Sequence, residues 1–137
     1  MAEHKPRKMF HMGPRDRGIW NRFLLQHEGD FDLFHYDVLV GPKMRVESAE
    51  MPWLGDLSEK LLCLRIDVVA YKKGECWIIE VKPNAGLSAL GQLMAYRYYL
   101  DPSYYERREL KAVIVTDYAR HYMPELDEAF SIDRVIV

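Results

Sequence analysis

The chain has 137 residues, of which 49% are hydrophobic and 29% are charged, and its formal net charge is −2. This length is typical of one domain, which would bury roughly two thirds of the surface of the unfolded chain. No apolar run approaches the roughly 18 residues of a membrane span, and the slight negative charge argues against a surface that is positive all round for nucleic acid. Residues 1–12 are too polar for a secretory signal. The sequence therefore predicts a single-domain, cytoplasmic protein with no membrane partner.

Hydrophobic periodicity divides the chain into predicted helices and strands. Residues 16–28 have apolar side chains at helical spacing, with Asp16 as a cap and Gly29 as a stop. Residues 1–15, which precede this helix, form a predicted basic arm. The other predicted elements are a strand at 32–41, a short helix or turn within 43–62, a hairpin at 63–83, a helix at 86–100, a strand at 110–117, a short helix at 122–130 and a strand at 131–137.

This order of elements predicts the fold class. The strands of a hairpin are antiparallel, whereas a strand, a crossover helix and a returning strand pair in parallel with a right-handed connection. The expected fold is therefore α/β, with a mixed central β-sheet of about five strands flanked by helices and a core order of α-β-β-β-α-β.

The predicted hairpin carries three charged side chains among apolar neighbours: Asp67, Glu80 and Lys82. Because side chains alternate along a strand, Glu80 and Lys82 share one face with Cys76 and Ile78. A turn centred on the second Lys and the Gly of the Lys-Lys-Gly sequence would place Asp67 directly opposite Glu80. A G1 bulge would shift that pairing by one residue and still leave the two carboxylates as neighbours.

Two carboxylates that face each other on a sheet destabilise it, and apolar surroundings make their ionisation costlier. A salt bridge from Lys82 would relieve one of them. A divalent cation would relieve both, and Mg²⁺ binds paired carboxylates while it keeps several of its waters. The spacing of the charges alone is compatible with either arrangement.

The whole motif is an Asp on one strand, Glu-Val-Lys on the next, and a helix that carries Gln92 and Tyr96 one turn apart. It resembles the PD-(D/E)xK nuclease superfamily, whose members have a restriction-endonuclease-like fold. The dipeptide Ile66-Asp67 stands where the superfamily has its name-giving Pro-Asp. The stretch "GQLMAYRYY" resembles the Gln-x-x-x-Tyr helix of the exonuclease-like branch. In element order the resemblance covers residues 16–117, and small members of this kind include phage proteins and Holliday-junction resolvases.

The resemblance implies a metal-dependent nuclease that hydrolyses phosphodiester bonds, with DNA as the favoured substrate and Mg²⁺ or Mn²⁺ as cofactor. Asp67, Glu80 and the backbone carbonyl of Val81 would be metal ligands. Lys82 would orient or deprotonate the attacking water and stabilise the transition state. The expected location is a bacterial or phage-infected cell, or a virion.

Other residues are assigned through the same resemblance. Gln92 and Tyr96 would steady Lys82 or a nearby phosphate by hydrogen bonding. The superfamily often adds an acid from the first helix, for which Glu28 is the best-placed candidate, while Asp37 and Glu47 are weaker ones.

Contacts to nucleic acid are expected from basic side chains near the predicted site. The candidates are Arg15, Arg17 and Arg22 at the start of the chain and Arg97 on the helix of the motif. A domain of this size has little room for its own recognition module, so a homodimer or a larger protein assembly is an expected partner.

Two alternatives to a nuclease remain open. The first is a protein of the same fold that no longer cuts and acts as a structural or binding component, for example of a phage assembly. The acidic net charge and the apolar residues within 44–54 favour this alternative. The second is an α/β domain in which the charges of the hairpin form an ordinary ion pair.

Overall fold

A computed structural model describes residues 12–41 and 64–137 of the chain. These two ranges contain three α-helices and five β-strands. Their bounds are α1 Pro14–His27, β1 Leu33–Val40, β2 Leu64–Lys72, β3 Glu75–Val81, α2 Leu87–Tyr99, β4 Glu109–Thr116, α3 Met123–Ala129 and β5 Ile132–Ile136.

The strands form one sheet in the order β1-β2-β3-β4-β5. The pairs β1–β2 and β2–β3 are antiparallel, whereas β3–β4 and β4–β5 are parallel. Helix α2 connects β3 to β4, and α3 connects β4 to β5, as the parallel pairing of consecutive strands requires. The predicted fold class, an α/β fold with a mixed five-stranded sheet flanked by helices, is confirmed.

The two faces of the sheet bury two separate cores. One face packs against α1, and the other against α2 and α3. The alternation predicted for β3 is confirmed, because Cys76 and Ile78 lie in the core beneath α2 whereas Ile79 and Val81 lie in the core beneath α1. The main helix residues in these cores are Ile19, Trp20, Phe23 and Leu24 of α1, Ala89, Leu90, Leu93 and Tyr96 of α2, and Met123 of α3.

Helix α1 begins earlier than the sequence predicts. Its first residue is Pro14, and proline is favoured at this position because the first helical N–H has no partner within the helix. Gly13 is the N-cap, and its backbone N–H donates to Asp16 Oδ2 at 3.4 Å. The prediction that Asp16 is the cap is therefore wrong, since Asp16 lies within the first turn. Residues 14 and 15, which we assigned to the basic arm, belong to the helix.

The alternation of faces reverses once along β1 and once along β2. In β1, Tyr36 packs towards α1 whereas Val38, two residues on, packs towards α2. In β2, Val68 and Ile66 are divided between the two cores in the same way. The register pairs Tyr36 with Val68 and Val38 with Ile66, so the two reversals lie side by side at Asp37 and Asp67.

Asp37 has a φ of 54°, in the left-handed region that few residues other than glycine adopt. This backbone distortion accounts for the reversal in β1, because it breaks the regular pleat at that residue. The site described below therefore lies where the sheet departs from regular geometry.

Several predictions fall outside the described residues. They are the arm at 1–11, the short helix or turn within 43–62, the apolar stretch at 44–54 and the candidate acid Glu47. In the part of the chain that the structure describes, no helix is both long enough and apolar enough to span a membrane.

Candidate functional site

The two carboxylates of the hairpin face each other across neighbouring strands. The ladder pairs Val68 with Ile79 and continues to Lys72 with Glu75, so paired residue numbers sum to 147 throughout. The next pair in this register is Asp67 and Glu80. The predicted register without a bulge is confirmed.

Where the β2–β3 ladder ends, the side chain of Asp67 accepts the hydrogen bond that a backbone carbonyl accepts elsewhere in the ladder. Its Oδ2 accepts a hydrogen bond from the backbone N–H of Val81 at 2.9 Å. The same carboxyl is hydrogen-bonded to that of Glu80. These contacts hold the Asp67 side chain against β3, directly beside Glu80.

Glu80 is buried, with 7% of its surface exposed. Its carboxyl forms a hydrogen bond with the Tyr96 hydroxyl, which reaches it from α2. Its Oε2 atom is buried and has no hydrogen-bond partner among the described residues. A buried carboxylate oxygen without a partner reduces the stability of the fold by about 1–3 kcal/mol or more. A bound ligand or a proton at this oxygen would remove that penalty.

Burial raises the pKa of both carboxyls. For Glu80 the charge of Asp67 raises the pKa further, while the Tyr96 hydroxyl and the Lys82 charge partly oppose the shift. For Asp67 the hydrogen bond from Val81 opposes the effect of burial, and the charges of Asp16 and Asp37 add to it. Without a cation, the pair is therefore best accommodated when one carboxyl retains its proton and donates it to the other.

Lys82 does not form an ion pair with either carboxylate. Its ammonium group donates a hydrogen bond to the Ser88 hydroxyl in the first turn of α2. Among the described residues, the ion pairs involve neither Asp67 nor Glu80. The alternative in which the hairpin carries an ordinary ion pair thus lacks the contact that it requires.

Asp16, in the first turn of α1, is the residue of that helix whose charge acts on Asp67. The pKa of Asp67 is raised by the charges of Asp16 and Asp37, whereas Glu28 acts on the Tyr36 hydroxyl. The sequence offered a signal for Asp16, namely its position at the start of α1, but we read that signal as a cap. The role of Glu28 as a ligand stays a prediction.

The remaining predicted residues are dispersed around this centre. Tyr96 contacts Glu80 directly, whereas Gln92 is exposed one turn earlier on α2. Arg97 donates to the backbone carbonyls of Phe130 and Ser131 at 3.0 and 3.3 Å, at the end of α3. The other three predicted contacts to nucleic acid, Arg15, Arg17 and Arg22, are exposed on α1.

The residues of the site fit a hard divalent cation. Within residues 12–41 and 64–137, no three His, Cys, Asp or Glu side chains are gathered closely enough to form a complete ligand set. Mg²⁺ needs fewer protein ligands, since it is commonly bound through one or two carboxylates and keeps several waters. The unpartnered Oε2 of Glu80 and the adjoining Asp67 carboxyl supply that donor set.

The raised pKa values predict how stability depends on pH when no metal is present. Burial raises the pKa of Glu80 from 4.5 to about 8. A carboxyl that holds its proton more tightly when folded stabilises the fold below its unfolded pKa, and this stabilisation is lost as pH rises through the folded pKa. We expect urea unfolding in EDTA to show a loss of a few kcal/mol between about pH 4.5 and pH 8. Glu80→Gln should flatten the profile, and a flat profile in wild type would contradict the burial of Glu80.

Comparisons with known proteins bear on the fold of this chain. No protein-family model and no curated protein matches the chain. A solved crystal structure of a protein of unknown function, AF1548, is similar over 88% of this chain, with a TM-score of 0.54 and 18% sequence identity. The chain spans 56% of the length of that protein. At this identity the likeness shows a shared α/β fold and nothing more.

Proposed function

We propose that this chain is a metal-dependent nuclease of the PD-(D/E)xK type, which hydrolyses phosphodiester bonds, with DNA as the favoured substrate. The proposal rests mainly on one observation, the pairing of half-buried Asp67 with buried Glu80, one oxygen of which has no hydrogen-bond partner among the described residues. A pair of this kind destabilises the sheet unless a cation or a proton neutralises it. The Glu-Val-Lys sequence and the Tyr96 contact support the same proposal.

Asp67 and Glu80 would hold Mg²⁺ or Mn²⁺. The cation would supply charge neutralisation at the phosphodiester and would lower the pKa of the attacking water. Asp67 is oriented for this role by the N–H of Val81, and Glu80 by the hydroxyl of Tyr96. Because both carboxylates are fixed before a substrate arrives, little reorganisation is needed during the reaction.

Lys82 would act on the phosphate and on the water. It directly follows β3, two residues after Glu80, and its charge acts on the Glu80 carboxyl. Ser88 holds the ammonium at the first turn of α2. From that position, Lys82 can donate a hydrogen bond to a phosphate oxygen whose negative charge increases in the transition state.

Replacing Lys82 with Met tests this role. We expect cleavage of single-stranded, duplex or branched DNA in millimolar Mg²⁺ to fall about 10²- to 10⁴-fold, the range typical of a lost proton-transfer or charge-stabilising group. The metal ligands remain, so stabilisation by Mg²⁺ should persist in a melting experiment. Lys73→Met, in the exposed turn of the same hairpin, is the matched control and should cut at the wild-type rate. Equal rates for all three proteins would refute the assignment of Lys82.

A non-cleaving protein-binding component is the second candidate function. The outer surface of α2 exposes Leu87, Met94 and Tyr98 by 59%, 41% and 82%, on one side of the helix. Exposed apolar side chains in one stripe favour contact with another protein. Stabilisation by metal without cleavage of any of the three DNA substrates would favour this candidate over the nuclease.

A further inference from the structure

A polar cleft lies beside the carboxylate pair, at the carboxyl ends of β3 and β4. It has a volume of about 290 Å³ and is lined by Arg15, Asn84, Asp117 and Tyr118. Small-molecule sites begin at roughly 300 Å³, so the cleft suits one nucleotide-sized group. Ligands of α/β proteins bind at this edge of a sheet because the loops that follow parallel strands meet there.

The first turn of α1 connects this cleft to the proposed metal site. Arg15 lines the cleft, while the charge of the next residue, Asp16, acts on Asp67. The pairing of β3 with β4 also brings the cleft close to the proposed metal site, since the N–H of Lys82 donates to the carbonyl of Val115 at 3.1 Å. A group bound in the cleft would therefore be a near neighbour of the carboxylates.

The walls of the cleft are fixed by hydrogen bonds between two loops. Asn84 is held at a φ of 44°, and its N–H donates to Asp117 Oδ1 at 2.8 Å. Its side-chain oxygen accepts from Arg120 Nε at 2.9 Å, while Arg120 Nη1 donates to the Tyr122 hydroxyl at 2.9 Å. A left-handed conformation outside glycine persists only where surrounding contacts enforce it, and such residues cluster at functional sites.

Arg120 lies behind Asn84 and supports the wall of the cleft, while Arg15 is the cation that lines it. The Arg120 guanidinium lies so close over Gly86 that a Cβ there would be 3.2 Å from it. Two of its nitrogens are occupied by Asn84 and Tyr122, and the described part of the chain supplies no hydrogen-bond partner for Nη2. Arg15 has 76% of its side chain exposed and is 3.7 Å from Asp117, a weak surface pair that a phosphate can displace.

Tyr118 provides an open aromatic face at the same place, with 61% of its surface exposed. Every nucleobase can stack on such a face whatever the sequence. Asp117 and the amide of Asn84 add an acceptor and a donor for the edge of a base. The combination of a stacking face, the Arg15 cation and a donor and an acceptor for a base edge is the chemistry that recognises a nucleotide.

We propose that this cleft binds one unpaired nucleotide of a single-stranded nucleic acid, with its base on Tyr118 and its phosphate at Arg15. The inference rests on the proposed function, because it names the strand that reaches the carboxylates. A base inside a duplex has no free face to stack on Tyr118, so the cleft selects single strands or frayed ends. DNA and RNA both have the base face and the phosphate that this cleft would bind.

Fluorescence anisotropy with labelled oligothymidylate, oligouridylate and a duplex tests the cleft, and EDTA in the buffer prevents any cutting. Tyr118→Ala should weaken binding of a single strand roughly tenfold, and Tyr118→Phe should retain it. Phe130→Ala, at an exposed aromatic side chain just after α3, is the matched control and should bind like wild type. Arg15→Ala should reduce the slope of log affinity against log salt by about 1.

The outcomes separate this inference from the proposed function. Equal binding by wild type and Tyr118→Ala, a preference for the duplex, or no binding by wild type would overturn the inference. Binding that depends on Tyr118 in a protein that cuts nothing with Mg²⁺ would support the cleft and contradict the nuclease. Cutting that does not depend on Tyr118 would support the nuclease and contradict the role of the cleft. All variants should first be shown to melt like wild type, since Tyr118 packs into neither core.

Discussion

Glu80→Gln is expected to abolish Mg²⁺-dependent cleavage, with a loss of at least about 10²- to 10³-fold. It replaces the unpartnered oxygen of Glu80 with an amide that binds a hard cation poorly, while the size of the side chain is kept. In wild type, Mg²⁺ at a hundred times its Kd should stabilise the fold by about 2.7 kcal/mol, and this gain should vanish in the variant. Thermal melting with and without Mg²⁺, beside a cleavage assay, measures both effects.

The same strand supplies the control. Glu75→Gln removes a carboxylate that pairs at the other end of β3 with Lys72 and Lys111, at 3.3 and 2.7 Å. Surface pairs of this kind contribute about 0–1 kcal/mol, so the control should melt and cut almost like wild type. In metal-free buffer near pH 8, Glu80→Gln should be more stable than wild type because a buried charge is gone. If Mg²⁺ still stabilised Glu80→Gln by the wild-type amount, Glu80 would not be a ligand.

Arg134→Met is expected to cause the largest loss of stability, about 3–5 kcal/mol. The Arg134 guanidinium donates to both oxygens of Asp127, at 2.7 and 3.2 Å, and to the carbonyl of Ala85 at 2.9 Å. Only 8% and 9% of the two charged side chains are exposed. Without Arg134, the Asp127 carboxylate would be buried and unpaired, and the segment before α2 would lose its tie to β5. Urea unfolding at neutral pH measures the loss.

Two further variants distinguish a buried charge from a general defect. The double variant Asp127→Leu with Arg134→Met should recover much of the stability, since apolar side chains of similar volume often replace a buried pair at little cost. Arg97→Met, which removes hydrogen bonds to carbonyls at the exposed end of α3, should cost only about 1 kcal/mol. A loss below about 1 kcal/mol for Arg134→Met itself would show that the pair contributes little.

The elements and the register of the hairpin could be predicted because local signals determine them. Proline after Asp101 excludes further helix, and α2 indeed ends at Tyr99. The Lys-Lys-Gly turn sets which residues of β2 and β3 face each other, so Asp67 could be placed opposite Glu80 from the sequence. The apolar run of β4, buried from Ala112 to Thr116, likewise identified a strand covered on both faces.

No local sequence signal predicts the reversal of strand faces at Asp37 and Asp67. This reversal depends on a left-handed backbone at Asp37 and on the pairing of two strands, and period-2 patterns report neither. The effect of the Asp16 charge on Asp67 was missed for a similar reason, because it depends on how α1 packs on the sheet. The cleft around Tyr118 is likewise assembled from loops that are distant in sequence and become neighbours only in the folded chain.

The hairpin has a consequence for how a chain of this kind can diversify. The carboxylates and the lysine all lie between Asp67 and Lys82, on two strands joined by a tight turn. Arg15 and Tyr118 come from other segments, at the start of α1 and in the loop after β4. Exposed loop positions tolerate replacement far better than paired strands do. Mutation can therefore alter the lining of the cleft without displacing the carboxylates, so that the proposed ligand could change while the proposed metal site is kept.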